Sequence, residues 1–289
     1  MASHVAVSGL AVTRDTILVH ARQLPAAPQV LAGLCELLQD VNTDLDRIAA
    51  EIRVEPALSA RVIRMSNSAI FGGGQRVGSV DDAVNRVGFG EVLRLVGAAT
   101  VTGLVDRSLS CYAIGAERLR ESLLFHALAS ETLASQTDID PRTAYSGGLL
   151  RAIGMMVLDR AGRSRLTPND VYDPVRFTAY GEWEALRFGL TSVEATTIVL
   201  DEWRFPPELV AAMQDHLLRT ESGYADRFAC VLNLAGAIVA EHRLALPGDI
   251  SSWNVTPEKL AAVGLDEENF RAASRQAAAL FERQRSSLY

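Results

Sequence analysis

The chain has 289 residues, 48% of them apolar, and a formal net charge of −7. This is ample material for a packed core and excludes a disordered chain, while the acidic balance argues against general affinity for nucleic acid, which needs a basic face to neutralise phosphates. No apolar run approaches the roughly 18 residues of a membrane span, and the N-terminus lacks the basic-then-apolar order of a secretory signal, so the expected setting is cytoplasmic, with neither membrane nor nucleic acid as a partner.

Residues 1–20 show no clear period and read as a lead-in, either helical or extended. Leu24-Pro25-Ala26-Ala27-Pro28 is a stiff turn, because each proline fixes its own φ and pushes its predecessor away from α. Beyond it Val30/Leu31, Leu34 and Leu37/Leu38 recur at helical spacing, and Asn42-Thr43-Asp44 reads as the cap of a helix carrying Leu45, Ile48 and Ile52. Pro56 starts the next helix, whose stripe is Leu58, Val62, Met65 and Ala69. Asn67 and Ser68 at its end are expected to satisfy backbone groups. The loop Gly72-Gly73-Gly74 lacks the lysine and strand–helix context of a phosphate cradle. Ser79 and Asp82 form a capping-box pattern for a helix ending near Val87-Gly88, and Phe89 to Thr100 continues as another.

A second block begins near Ala116, with Leu119, Leu123, His126, Ser130 and Leu133 on one helical face. Asp140-Pro141 opens a helix expected to run through Gly147–Leu158 to about Ala161. Residues 162–180, which hold two prolines, read as loop. Thr191-Ser192-Val193-Glu194 is a second capping box. Pro206-Pro207 starts a helix with Met213 and His216/Leu217, Phe228 to His242 lines a long one, and residues 266–288 form a terminal helix that either packs on the domain or serves a partner. Trp183 and Trp203 sit at helical positions and are expected in the core. No strand alternation and no internal repeat is present, so the predicted fold is all-α. Cys35, Cys111 and Cys230 are widely spaced in apolar helical contexts, which suits buried thiols in a reducing compartment and supplies no zinc motif. Lysine occurs once, at Lys259, a compositional bias.

Several segments together resemble the HDOD domains, the HD-related output domains of bacterial signalling proteins. In the first block these are Leu24-Pro25-x-x-Pro28, Glu55-Pro56-Ala57-Leu58, Asn67-Ser68-Ala69 and Val80-x-x-Ala83-x-x-x-Val87-Gly88. In the second they are the His126 helix, Gly148-Leu149-Leu150, Ile153-Gly154, Trp203-x-Phe205-Pro206 and Met213-x-x-His216. The resemblance covers about residues 20 to 245. It implies a two-lobed helical domain over 21–245, with an N-terminal lobe at about 21–112 and an HD-like lobe at about 113–245, followed by a C-terminal extension over 246–289. It also implies a role in signalling without hydrolase activity.

An active HD phosphohydrolase needs histidines and carboxylates converging on one or two metals that activate water. Set against that pattern, His126 fits the first histidine. The His-Asp pair is replaced by Arg151-Ala152, and neither side chain can coordinate a cation. Ser192 or Val193 stands where a further histidine is found in HD relatives, His216-Leu217 replaces a His-His pair, and Gly236 occupies the final Asp or Asn position. His126 and His216 are expected as buried, hydrogen-bonded imidazoles. Arg151 is expected in an ion pair with Glu194, Asp215 or another carboxylate; its alternative role is anchoring an anion, since a guanidinium grips phosphate bidentately. His126, Arg151, Ser192 and His216 are therefore the candidate pocket residues, with no catalytic, cofactor or metal role assigned. The expected function is a non-enzymatic module that binds signalling proteins in trans, with a nucleotide ligand and a homodimer left open. The competing readings are a metal-dependent phosphohydrolase acting on a nucleotide and a nucleotide sensor without turnover.

Overall fold

The polar residues expected to begin helices do so. In the computed structural model, which describes residues 11–24, 27–38, 45–67, 76–105, 107–219 and 224–285, the Ser79 hydroxyl accepts from the Asp82 amide at 3.0 Å. Thr191 and Glu194 form the full reciprocal box, which satisfies amides that a helix start otherwise leaves orphaned. Asn67 stitches the chain on either side of it: its amide donates to the carbonyls of Ile63 and Val77, and its carbonyl accepts from the Val77 amide. The Asn42–Asp44 cap, Ser68 and the triple-glycine loop lie outside the described residues.

The chain is all-α. The first half holds α2 (Ala27–Leu38), α3 (Leu45–Arg53), α4 (Pro56–Ser66), α5 (Val80–Val87) and α6 (Phe89–Leu104). The second holds α7 (Ala116–Ala134), α8 (Pro141–Leu150), α9 (Ile153–Gly162), α10 (Tyr180–Phe188), α11 (Ser192–Glu202), α12 (Pro207–Asp215) and α13 (Arg227–Glu241). Then follow α14 (Pro257–Val263) and α15 (Glu267–Arg285). No strand forms among the described residues; a single isolated bridge joins Leu109 and Ile114. The lead-in resolves as a helix, α1 (Arg14–Ala21), lying against α9 and α11 of the second half, and the Val12 amide donates to the Phe188 carbonyl at 2.8 Å.

Helix α7 is the axis of the second half. Its spacing suggests one apolar face, yet it is buried on nearly every side from Leu119 to Ala134, because α6, α8, α13 and α15 all pack around it. A helix in that position needs small residues where neighbours approach, and Ala127, Ala129, Ser130 and Ala134 provide them. Of the two roles open to the terminal helix, packing is the one seen. Helix α15 lies along α7 and buries Phe270, Ala273, Ala277 and Phe281, with the Phe281 and Phe125 rings 4.9 Å apart. Each buried phenylalanine contributes about 2–3 kcal/mol of transfer free energy.

One expectation is corrected. The helix opened by Asp140-Pro141 does not run to Ala161; it breaks at Arg151-Ala152, where Ala152 has φ −102° and ψ 13°. The break is held by Thr196 of α11, whose hydroxyl accepts from the Gly154 amide at 3.0 Å. A Cβ at Gly154 would lie 2.0 Å from the Ser192 carbonyl oxygen, so only glycine allows α9 this approach to α11. The residues just before α7 pack against the second half. The Cys111 amide donates to the Asp159 carboxylate, and the Tyr112 ring packs edge-on against Tyr180 and Trp183.

Candidate functional site

The break between α8 and α9 turns Arg151 inward. Its Nη1 donates to Asp249 Oδ2 at 2.6 Å and its Nη2 to Ser122 Oγ at 3.1 Å; the Arg151 and Asp249 side chains are 4% and 11% exposed. The carboxylate that neutralises Arg151 is thus neither of the two named candidates. Glu194 is committed to its capping box, and the partner comes from the 3-10 turn Pro247–Ser252 beyond α13. The guanidinium carbon also lies 5.7 Å from the centroid of the Trp253 ring, within cation–π range.

Trp253 is the centre of the arrangement. Its indole is 6% exposed and stands 5.5 Å from the His126 ring and 6.0 Å from the His216 ring, measured between centroids. It presses on Gly236, where an added Cβ would fall 2.3–2.7 Å from three indole carbons. Any side chain at position 236, the expected Asp or Asn position included, conflicts with the indole where it sits. The segment is held by Lys259, which is 2% exposed. Its ammonium donates to Asn233 Oδ1 at 2.7 Å and to the Asn254 carbonyl at 2.9 Å, while Asn233 Nδ2 donates to the carbonyls of His216 and Ser252. The chain's single lysine is therefore a buried tie between α13 and the segment that carries Trp253.

Both histidines are buried and hydrogen-bonded, as expected. His126 Nε2 is 2.9 Å from the Leu232 carbonyl, and His216 Nδ1 is 2.7 Å from that of Met213. A carbonyl only accepts, so these ring nitrogens carry the protons. Burial, reinforced by Arg151, holds His126 well below its ordinary value; burial likewise lowers His216 to about 4. With Arg151, His216 and Asp249, Ser192 lines a cavity of about 20 Å³, room for roughly one water. Among the described residues, no group of three or more His, Cys, Asp or Glu side chains is placed to hold a metal ion. Cys111 and Cys230 are buried, and desolvation pushes their thiols up to about 12 and 11, the opposite of what a nucleophile requires.

Sequence reasoning placed His126, Arg151, Ser192 and His216 in one region and missed Asp249, Trp253, Ser122 and Glu184. Only one signal pointed to the missing carboxylate: an arginine set among aliphatics needs a partner somewhere. Glu184 lies on the cavity wall, 1% exposed, and accepts from Tyr112 Oη and from the Ser192 amide, each at 2.8 Å. Burial raises its carboxyl to about 7 despite these bonds.

These shifts oppose one another in acid. The two histidines are depressed in the fold, so their contribution is present above about pH 6.5 and is lost as pH falls, for His216 toward about 4. Glu184 is raised, so its contribution is present below its ordinary value of 4.5 and is lost as pH rises toward 7. Between those limits unfolding takes up protons at the histidines and releases one at Glu184. Glu184→Gln should therefore steepen the acid loss of stability by about one proton, or roughly 1.4 kcal/mol per pH unit. Urea titrations at several pH values read this slope, and an unchanged slope would refute the assignment.

The sequence model of the HDOD domain matches residues 24–217. The chain belongs to the HDOD domain family. Among solved structures it is similar to an HDOD domain protein of unknown function from Geobacter sulfurreducens, at 19% identity and a TM-score of 0.69, over 96% of this chain and 99% of that one. A candidate signal transduction protein from Marinobacter aquaeolei VT8 is 19% identical with a TM-score of 0.68, over 99% of this chain and 66% of that one. A candidate phosphohydrolase from Shewanella amazonensis SB2B is 22% identical with a TM-score of 0.63, over 95% and 98%. At these identities the likeness is one of fold. No curated protein matches the chain. No described helix is long and apolar enough to cross a membrane.

Proposed function

We propose that this chain is a non-catalytic signalling module of the cytoplasm: a degenerate HD scaffold that binds signalling proteins in trans and passes on a conformational state. The observation that carries this reading is Trp253, whose indole fills the space between the two surviving histidines and against Gly236. The same reading follows from the donor set. Arg151 and Ala152 offer no lone pair to a metal, and the Arg151 charge is already neutralised by Asp249. The cavity beside Ser192, about 20 Å³, is far below the roughly 300–1,000 Å³ of small-molecule sites. This weighs against a nucleotide held by Arg151 in this conformation. A signal transduction protein of the same fold is consistent with the proposal.

Metal loading and turnover test it together. Purified protein incubated with Mn²⁺, Fe²⁺ or Zn²⁺ and desalted should retain no stoichiometric metal and should not hydrolyse bis-p-nitrophenyl phosphate. Retained metal with turnover that His126→Ala abolishes would instead establish the phosphohydrolase reading.

A further inference from the structure

Away from Trp253, a cleft of about 200 Å³ opens where the C-terminal ends of α1 and α6 meet α7 and α9. Its walls carry charge of one dominant sign. His20, Arg107, Arg160 and Arg163 line it, against a single carboxylate, Asp159. In a chain of net charge −7 this concentration of arginine is local and directed. Asp159, fully buried, offsets only one of the three arginines: it accepts from Arg163 Nε at 2.6 Å and from the Cys111 amide at 2.8 Å, which leaves the lining with an excess of positive charge. Arg160, half-buried on α9, has no protein partner among the described residues, and the Nδ1 of His20 is buried without a hydrogen-bond partner.

The floor differs in character. Leu104, Leu119 and Met156 form it, each at most 5% exposed. Arginines above an apolar floor suit a ligand with an anionic head and a compact apolar body, since the guanidinium fork matches phosphate oxygens while the body displaces water from the aliphatic surface. The volume is below that of sites for drug-sized molecules, which favours one phosphoryl group on a small body over a dinucleotide. We propose that this cleft is a binding site for a compact organic phosphate monoester. It joins α6 of the first half to α7 and α9 of the second, so occupancy bears on how the two halves pack.

Isothermal titration of the full chain with phenyl phosphate, inorganic phosphate and phenol tests the site. Phenyl phosphate should bind saturably, more tightly than inorganic phosphate, with affinity falling as salt is raised; phenol should not bind. Arg160→Glu should weaken phenyl phosphate by about tenfold or more, as expected for loss of a charge-assisted hydrogen bond. Arg107→Glu, at an exposed position, should do the same and serves as the test if the Arg160 variant folds poorly. No saturable binding of phenyl phosphate in the millimolar range overturns the proposal. So does an affinity that the Arg107 variant leaves unchanged.

Discussion

Gly236→Ala is expected to destabilise the protein by about 2–3 kcal/mol, at the upper end for one added methyl in a packed interior. The Cβ would fall within 2.7 Å of three indole carbons of Trp253, and neither party can move cheaply. Gly236 lies in the middle of α13, whose backbone is held between α7 and α12, and the Trp253 segment is tied down by Lys259. Trp253→Ala should cost more, about 3–5 kcal/mol, because it leaves a cavity among buried groups. The diagnostic result is the double variant: with the indole gone, a methyl at position 236 has room, so its added cost should fall to near zero and the two changes should be strongly non-additive. Urea denaturation of the four proteins closes the cycle. Simple additivity would show that the indole does not sit against Gly236.

The second large effect concerns Arg151 and Asp249. Removing one member of a buried ion pair leaves the other charge without compensation, at a cost of about 3–5 kcal/mol. Asp249→Ala should reach that range, leaving the guanidinium only its hydrogen bond to Ser122 and the face of Trp253. Replacing both together, as Arg151→Met with Asp249→Leu, should recover most of the loss, because the pair's attraction only roughly offsets the desolvation of its two charges. A loss below about 1 kcal/mol for Asp249→Ala would place the pair in solvent, where such bridges contribute little. The single variant also bears on function: with Asp249 gone, Arg151 is an uncompensated cation beside the histidines, and any anion affinity there should appear only then.

Much of the architecture was legible because it is written in local terms. Pro56 and Pro207 begin helices since a first-turn proline loses nothing by lacking an amide, and Thr191 with Glu194 closes a box within one helical turn. The break at Arg151-Ala152 was not legible. The aliphatic spacing of Leu149, Leu150, Ile153 and Val157 continues through it, and what enforces it is Thr196, 42 positions beyond Gly154 in the chain. The full enclosure of helix α7 was hidden for a related reason: periodicity reports one preferred face and cannot report that neighbouring helices will cover the rest.

The amino-acid sequence by itself determined the all-α class and most helix starts, since each depends on residue chemistry or short-range spacing. Only the tertiary structure decided what surrounds Arg151 and the two buried histidines. Asp249 and Trp253 both come from beyond α13, Asp249 lying 98 positions after Arg151 in the chain, and a carboxylate and an indole brought in from that distance leave no periodic trace. Their placement follows from burial: an enclosed guanidinium must be neutralised, and a space beside a glycine in a close-packed interior must be filled.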